Sequence, residues 1–185
     1  MGFIGQWLRN RRLRKYRSSI PTGFVPLSGM KKATVILDAE DPTWEECRKE
    51  AEDFFRARGI ATDFIYTDFR KFSNGIKPVT EASRTLFRKD IRCFGLPRMK
   101  KVRPMLDGQT DLLLSFSTCS DFIMEFVTKS IKARFRIGRC PFPGEPFDMM
   151  VVPVAQAEKE PEEPVEQAPQ TEVFQTVADF LPKIK

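Results

Sequence analysis

From Ala33 to Leu37 (ATVIL) the chain is a continuous β-favouring run, the pattern of a strand covered on both faces. Asp41, Pro42 and Thr43 end the run. Thr43 and Glu46 have the spacing of a capping box, in which a hydroxyl and a carboxylate satisfy orphan amides at a helix start. Trp44, Cys47, Ala51, Phe54 and Phe55 then share one helical face, and Gly59 is a natural stop. ATDFIYTDF reads as the next strand, which completes a βαβ unit. The same order returns later. DLLLSFS (111–117) is a second buried-type strand, and Phe122, Ile123, Phe126, Val127 and Ile131 follow at helical spacing with Ser120 or Asp121 as cap. ARFRIGR (133–139) alternates Phe135 and Ile137 against Arg134 and Arg136, and FDMMVVPV (147–154) is a further apolar strand. Between the two units the pattern weakens. It predicts a short strand around Leu86–Phe94 and about one helical turn near Val102–Leu106, limited by Pro104. Two βαβ units with right-handed crossovers predict an α/β fold: a single open, mainly parallel sheet with helices on both faces, in the three-layer manner of Rossmann or flavodoxin-like domains.

The flanks divide from this body by composition. Residues 1–17 are a basic, amphipathic arm, and residues 18–32, with Pro21, Gly23, Pro26 and Gly29, read as a linker. The α/β domain spans 33–154. Residues 155–170 (AQAEKEPEEPVEQAPQ) have almost nothing to bury and are expected to be a disordered Pro/Glu-rich linker. Residues 171–182 form a last helix with Thr171 as its cap and Val173, Phe174, Val177 and Leu181 in a stripe. A helix this short is marginal alone, so it is expected to dock on the domain.

Charge changes the picture mainly at the amino end. The chain carries a net charge of +6, yet its first 32 residues hold eight Lys or Arg and no acid, so the remainder is close to neutral. Arg9, Arg11, Arg12, Arg14, Lys15 and Arg17 crowd into nine positions behind Phe3, Ile4, Trp7 and Leu8. This combination suits an RNA backbone, an anionic membrane surface or a partner protein, and four apolar side chains are more than a solubilising arm would carry. Arg134, Arg136 and Arg139 are a second basic group, a candidate patch on the body together with Arg98, Lys100, Lys101 and Arg103, against the plainer reading of a solvated face and a charged strand edge.

Several chemistries are disfavoured. There is no histidine, which removes the usual general base near neutral pH and every Ser-His or Cys-His nucleophile pair. Cys47, Cys93, Cys119 and Cys140 show no zinc-ligand spacing and read as reduced thiols. No glycine-rich loop follows the first strand, which argues against a dinucleotide or P-loop role. The strand ends do offer Asp38, Glu40, Asp41, Asp68, Ser117, Thr118 and Ser120, where α/β sheets gather ligands; helix capping explains Asp41 and Ser120 without a ligand. No cofactor, metal or catalytic residue is expected. No apolar run approaches the ~20 residues of a membrane span, and the start lacks a signal-peptide h-region, which points to the cytoplasm.

KATVILDAEDPTWEE, TDLLLSFSTCS and IKARFRIGR, in this order behind a basic start, resemble an uncharacterised family of small bacterial α/β proteins, a domain of unknown function. That resemblance implies a fold but no activity or site. DLLLSFSTCSDFIMEFVTKSIKARFRIGR is also similar, over about thirty residues, to a strand–helix–strand unit of the lipopolysaccharide heptosyltransferases. The favoured expectation is a non-enzymatic module that binds RNA or the ribosome through Trp7 and the six cations of the arm. The alternative is a peripheral protein of the inner-membrane surface anchored by residues 1–17. A small, degenerate glycosyl- or phosphoryl-transfer-like protein ranks third.

Overall fold

A computed structural model of the chain describes residues 2–71, 79–142, 144–151 and 168–184. A helix, α1 (Phe3–Tyr16), precedes the sheet. Then come β1 (Lys32–Asp38), α2 (Trp44–Arg56), β2 (Ala61–Asp68), β3 (Thr85–Phe87), α3 (Met99–Leu106) and β4 (Gln109–Ser115). The chain continues with α4 (Phe122–Ser130), β5 (Lys132–Gly138), β6 (Met149–Met150) and α5 (Gln170–Phe180). All six strands are parallel, in the order β3-β2-β1-β4-β5-β6. The order reverses between β1 and β4, which makes the gap between their carboxyl ends the switch point of the sheet.

The continuous apolar runs are explained by burial on both faces. Ala33, Val35 and Leu37 of β1, with Leu112 and Leu114 of β4, pack against Cys47, Ala51 and Phe55 of α2 and Val173, Phe174 and Val177 of α5. Ile36 and Leu113 point the other way, into a second core with Val102 of α3 and Ile123, Phe126 and Val127 of α4. α2 stops as its glycine suggests. Gly59 adopts φ +70°, and the amides of Gly59 and Ile60 donate to the carbonyls of Arg56 and Phe55, both at 3.0 Å.

Several boundaries differ from the sequence pattern, each for a local polar reason. Thr43 makes no side-chain cap to α2; its hydroxyl and amide both turn back to Asp41 Oδ1, at 2.7 and 2.9 Å. Asp121 and Thr171 do not cap by side chain either, and α5 begins one residue earlier, at Gln170 behind Pro169. The strand expected around Leu86–Phe94 is only Thr85–Phe87, because buried Asp90 accepts the Phe87 amide at 3.1 Å and draws the chain into a 3-10 turn. α3 runs for eight residues in spite of Pro104. β6 keeps two residues of the run expected at 147–154; the positions from 152 on, and most of the linker expected at 155–170, lie outside the described residues.

Residues 18–32 are a strap as much as a linker. Gly23 N–H donates to Arg134 O at 2.8 Å, Phe24 meets Phe135 edge-on at 5.3 Å, and Val25 and Met30 enter the first core. The contact covers an exposed stretch of β5. α1 is likewise docked. Leu13 and Tyr16 pack on the second core, and Tyr16 meets Phe126 of α4 edge-on at 5.9 Å. Arg9 fastens the other end: its Nε donates to Phe94 O at 2.6 Å and its guanidinium lies 4.8 Å from the Phe122 ring centre. Gly95, at φ +74°, leaves room for that guanidinium; a Cβ there would come within 2.7 Å of it.

Gln170 ties α5 to the sheet. Its buried amide accepts from Asp38 N–H at 2.9 Å and donates to Asp38 O at 2.8 Å, while its own N–H donates to Asp41 Oδ2 at 3.1 Å. Asp41 thereby serves an orphan amide at the start of α5, where a negative charge also suits the helix dipole.

Gln170→Ala is expected to cost about 2–4 kcal/mol in urea unfolding, because it leaves the Asp38 amide and carbonyl buried without partners. Removing residues 1–17 uncovers Phe122 and Phe126 and forfeits the burial of Leu13 and Tyr16. A loss of about 2–4 kcal/mol is expected, read as a lower thermal midpoint with unfolding still cooperative.

Candidate functional site

The carboxyl ends of four strands surround a crevice at the switch point. It has a volume of about 520 Å³ and is lined by Asp38 at the end of β1 and Glu40 just beyond it, Phe69 after β2, Arg88 and Ile91 after β3, and Thr118, Cys119 and Asp121 after β4. Much of the acidic edge is already engaged in structure. Asp68 is fully buried and paired with Arg70, whose Nε and Nη2 reach its two oxygens at 2.9 and 2.8 Å. Glu40 accepts the Phe69 amide at 2.8 Å, and Asp41 holds Thr43 and Gln170. Ser117 is buried and accepts the Cys119 amide at 3.3 Å.

Asp38 is the carboxylate that marks the crevice floor. It accepts the Glu40 amide at 3.0 Å and the Thr118 hydroxyl at 3.4 Å. Burial raises its pKa above the usual carboxylate value, against the lowering effect of the Glu40 amide. Burial likewise pushes the Cys119 thiol up to about 11, so it is neutral at pH 7 and a poor nucleophile. Among the described residues no group of three His, Cys, Asp or Glu is placed to hold a metal ion. The crevice therefore offers hydrogen-bond acceptors and one hydroxyl to a ligand with donor groups. Three lining carboxyls against Arg88 make it poorly suited to a phosphate. Arg88 and Ile91 come from the segment where hydrophobic patterning is weakest, and nothing in the local sequence marks them as crevice residues.

The arm's cations divide by helix face. Gly5, Arg9, Leu13 and Tyr16, at spacings of three and four, form the side of α1 turned to the body. Arg9 is thus committed to docking. Trp7, Arg11, Arg14 and Lys15 lie on the exposed side, with the Arg11 guanidinium 5.4 Å from the Trp7 ring centre. Arg12 is half-buried and, with Leu8, Arg11 and Lys15, lines a shallow groove of about 250 Å³ against Leu96. Arg17 is exposed just past the helix end.

The second basic group is not brought together as a surface patch. Arg136 is buried and donates to Thr128 O and Ile131 O, both at 3.1 Å, so it closes the carboxyl end of α4. Arg139 is nearly buried, 3.5 Å from Asp41. Arg134 alone of the three is exposed, 3.9 Å from Asp111. Charge pattern along β5 does not reveal that two of these arginines satisfy helix ends and loops.

The profile of a family described as Family of unknown function (DUF6913) matches residues 3–163, and the chain belongs to that family. The match takes in α1 and the whole sheet and ends before α5. Searches of curated proteins and of solved structures returned no match. No described helix is long and apolar enough to cross a membrane.

The raised Asp38 pKa has a consequence for stability. A carboxyl that is harder to ionise in the folded state binds more protons there than in the unfolded chain, so it opposes folding as pH rises through the carboxylate range. Asp38→Asn is therefore expected to raise stability at pH 7. The gain should shrink toward zero below the ordinary Asp pKa, as checked by urea unfolding at both ends of that range.

Proposed function

We propose that this chain is a non-enzymatic α/β module that binds RNA, free or in the ribosome, through the outer side of α1. One observation carries the reading. α1 docks by Gly5, Arg9, Leu13 and Tyr16, which leaves Trp7, Arg11, Arg14 and Lys15 facing outward on a helix with no acidic residue. Guanidinium groups suit phosphates bidentately, and an indole beside them is a stacking surface for an unpaired base. RNA is preferred to lipid because apolar and basic residues are separated along the helix and not around it. Trp7, Arg11 and Arg14 share one line, so a helix lying flat in a membrane would press its arginines inward with its tryptophan.

A membrane reading draws on a different observation. Phe3, Ile4 and Trp7 are 87%, 68% and 51% exposed at the tip of α1. A tilted helix could insert that tip while Arg11 and Arg14 meet anionic headgroups.

Filter binding to total RNA and sedimentation with anionic liposomes separate the two. Three or four phosphate contacts predict a slope of about −2 to −3 in log K against log salt for single-stranded RNA. Arg11→Glu with Arg14→Glu should remove RNA binding. Trp7→Ser with Leu8→Ser should weaken it far less. Liposome binding that survives ~0.5 M salt yet disappears on that second pair of changes would favour the membrane, since charge attraction is screened there and apolar insertion is not.

A further inference from the structure

The opposite end of the sheet has a different chemistry. The carboxyl ends of α1, α3 and α4 meet around a cavity of about 300 Å³. Lys15 enters it from the last turn of α1 and Arg17 from just past that helix, Arg103 from α3 and Lys132 from the start of β5, with Asp107 the one acid in the lining. None of these four cations is in an ion pair among the described residues. Ser130, also in the lining, is only 3% exposed, and its hydroxyl has no hydrogen-bond partner.

Cations near helix carboxyl ends have an ordinary role, to offset the dipole. Here that role falls short of the charge present. Three helix ends supply roughly half a negative charge each. With Asp107 they leave the four cations in excess by roughly one and a half charges. Moreover, the last carbonyls of α4 are already met: Lys129 O accepts Ser18 N–H at 2.9 Å, and Thr128 O and Ile131 O accept from Arg136. An unpaired ring of cations with serines among them matches an anion of one to two charges and several acceptor oxygens.

We propose that this cavity binds a phosphate group carried on a small substituent. Its volume is at the lower limit of small-molecule pockets, which excludes a dinucleotide. The proposal goes beyond the RNA reading. It shares Lys15 with that surface, but it requires Arg17, Arg103, Lys132 and Ser130 and does without Trp7, Arg11 and Arg14. A free phosphomonoester and the end of a polynucleotide both present such a group.

The test is a titration of the full chain with inorganic phosphate, followed by thermal midpoint, against potassium chloride at matched ionic strength. A saturable rise of a few degrees at about ten times half-saturation is expected with phosphate and not with chloride. Arg103→Glu with Lys132→Glu should abolish the rise, read within the variant as its midpoint in phosphate against its midpoint in chloride, whatever the charge reversal does to the midpoint itself. Arg11→Glu with Arg14→Glu should keep it, even if RNA binding is lost. No saturable rise, an equal rise in chloride, or a rise that persists after Arg103→Glu with Lys132→Glu would overturn the proposal. Competition by ribose 5-phosphate, and by an oligoribonucleotide with or without a 5′-phosphate, then distinguishes the two sources of the group; failure of all of them to compete with phosphate also counts against it.

Discussion

Strands β1 and β4 bury side chains on both faces, and every other element answers that demand. Ala33, Val35 and Leu37 need one cover and Ile36 another, so α2 and α5 close one face while α3 and α4 close the other. A sheet wound outward from its centre in both directions has a gap where the winding reverses. The crevice above Asp38 is that gap, and its position follows from the strand order before any side chain is considered. Gln170 then completes the hydrogen bonding at the end of β1 from a helix 132 residues away in sequence.

Polar groups in this protein are largely committed to one another, and this governs what is left for function. Asp41 holds a turn and a helix start, Asp68 holds Arg70, and Arg136 closes α4. Buried polar groups must be paired, so residues that look chemically active in sequence are often consumed in satisfying backbone nearby. What remains open is unevenly distributed. The carboxyl end of the sheet keeps acids and a neutral thiol, whereas the amino end and the outer side of α1 keep cations.

α1 shows how docking divides a uniform segment. Six cations that are equivalent by composition become one docking arginine, Arg9, one half-buried arginine, Arg12, and an outward group, because a helix can present only one side to its support. The apolar residues divide as well. Leu13 and Tyr16 cover α4, and Phe3, Ile4 and Trp7 stay in solvent. That places the arm's outward cations on a docked helix, and under the RNA reading proposed above, binding and folding stability draw on different residues of it.

The parallel α/β architecture, β1, α2, β2, β4, α4 and β5, and the apolar stripe of α5 were legible in the sequence. Their signals are local: continuous or periodic burial over a few residues is enough to set each element and its buried side. So was the concentration of positive charge in α1, since counting charge needs no fold. Tertiary structure alone decided which of those charges are free, that Arg136 and Arg139 turn inward, that β3 stops at Phe87, and that Arg88 and Ile91 reach the crevice. The physical reason is common to all four. An apolar side chain needs only to be covered, and periodicity reports the covered side. A polar group needs a particular partner, and Arg9 with Phe94 or Asp38 with Gln170 meet across distances in the chain that no local pattern spans.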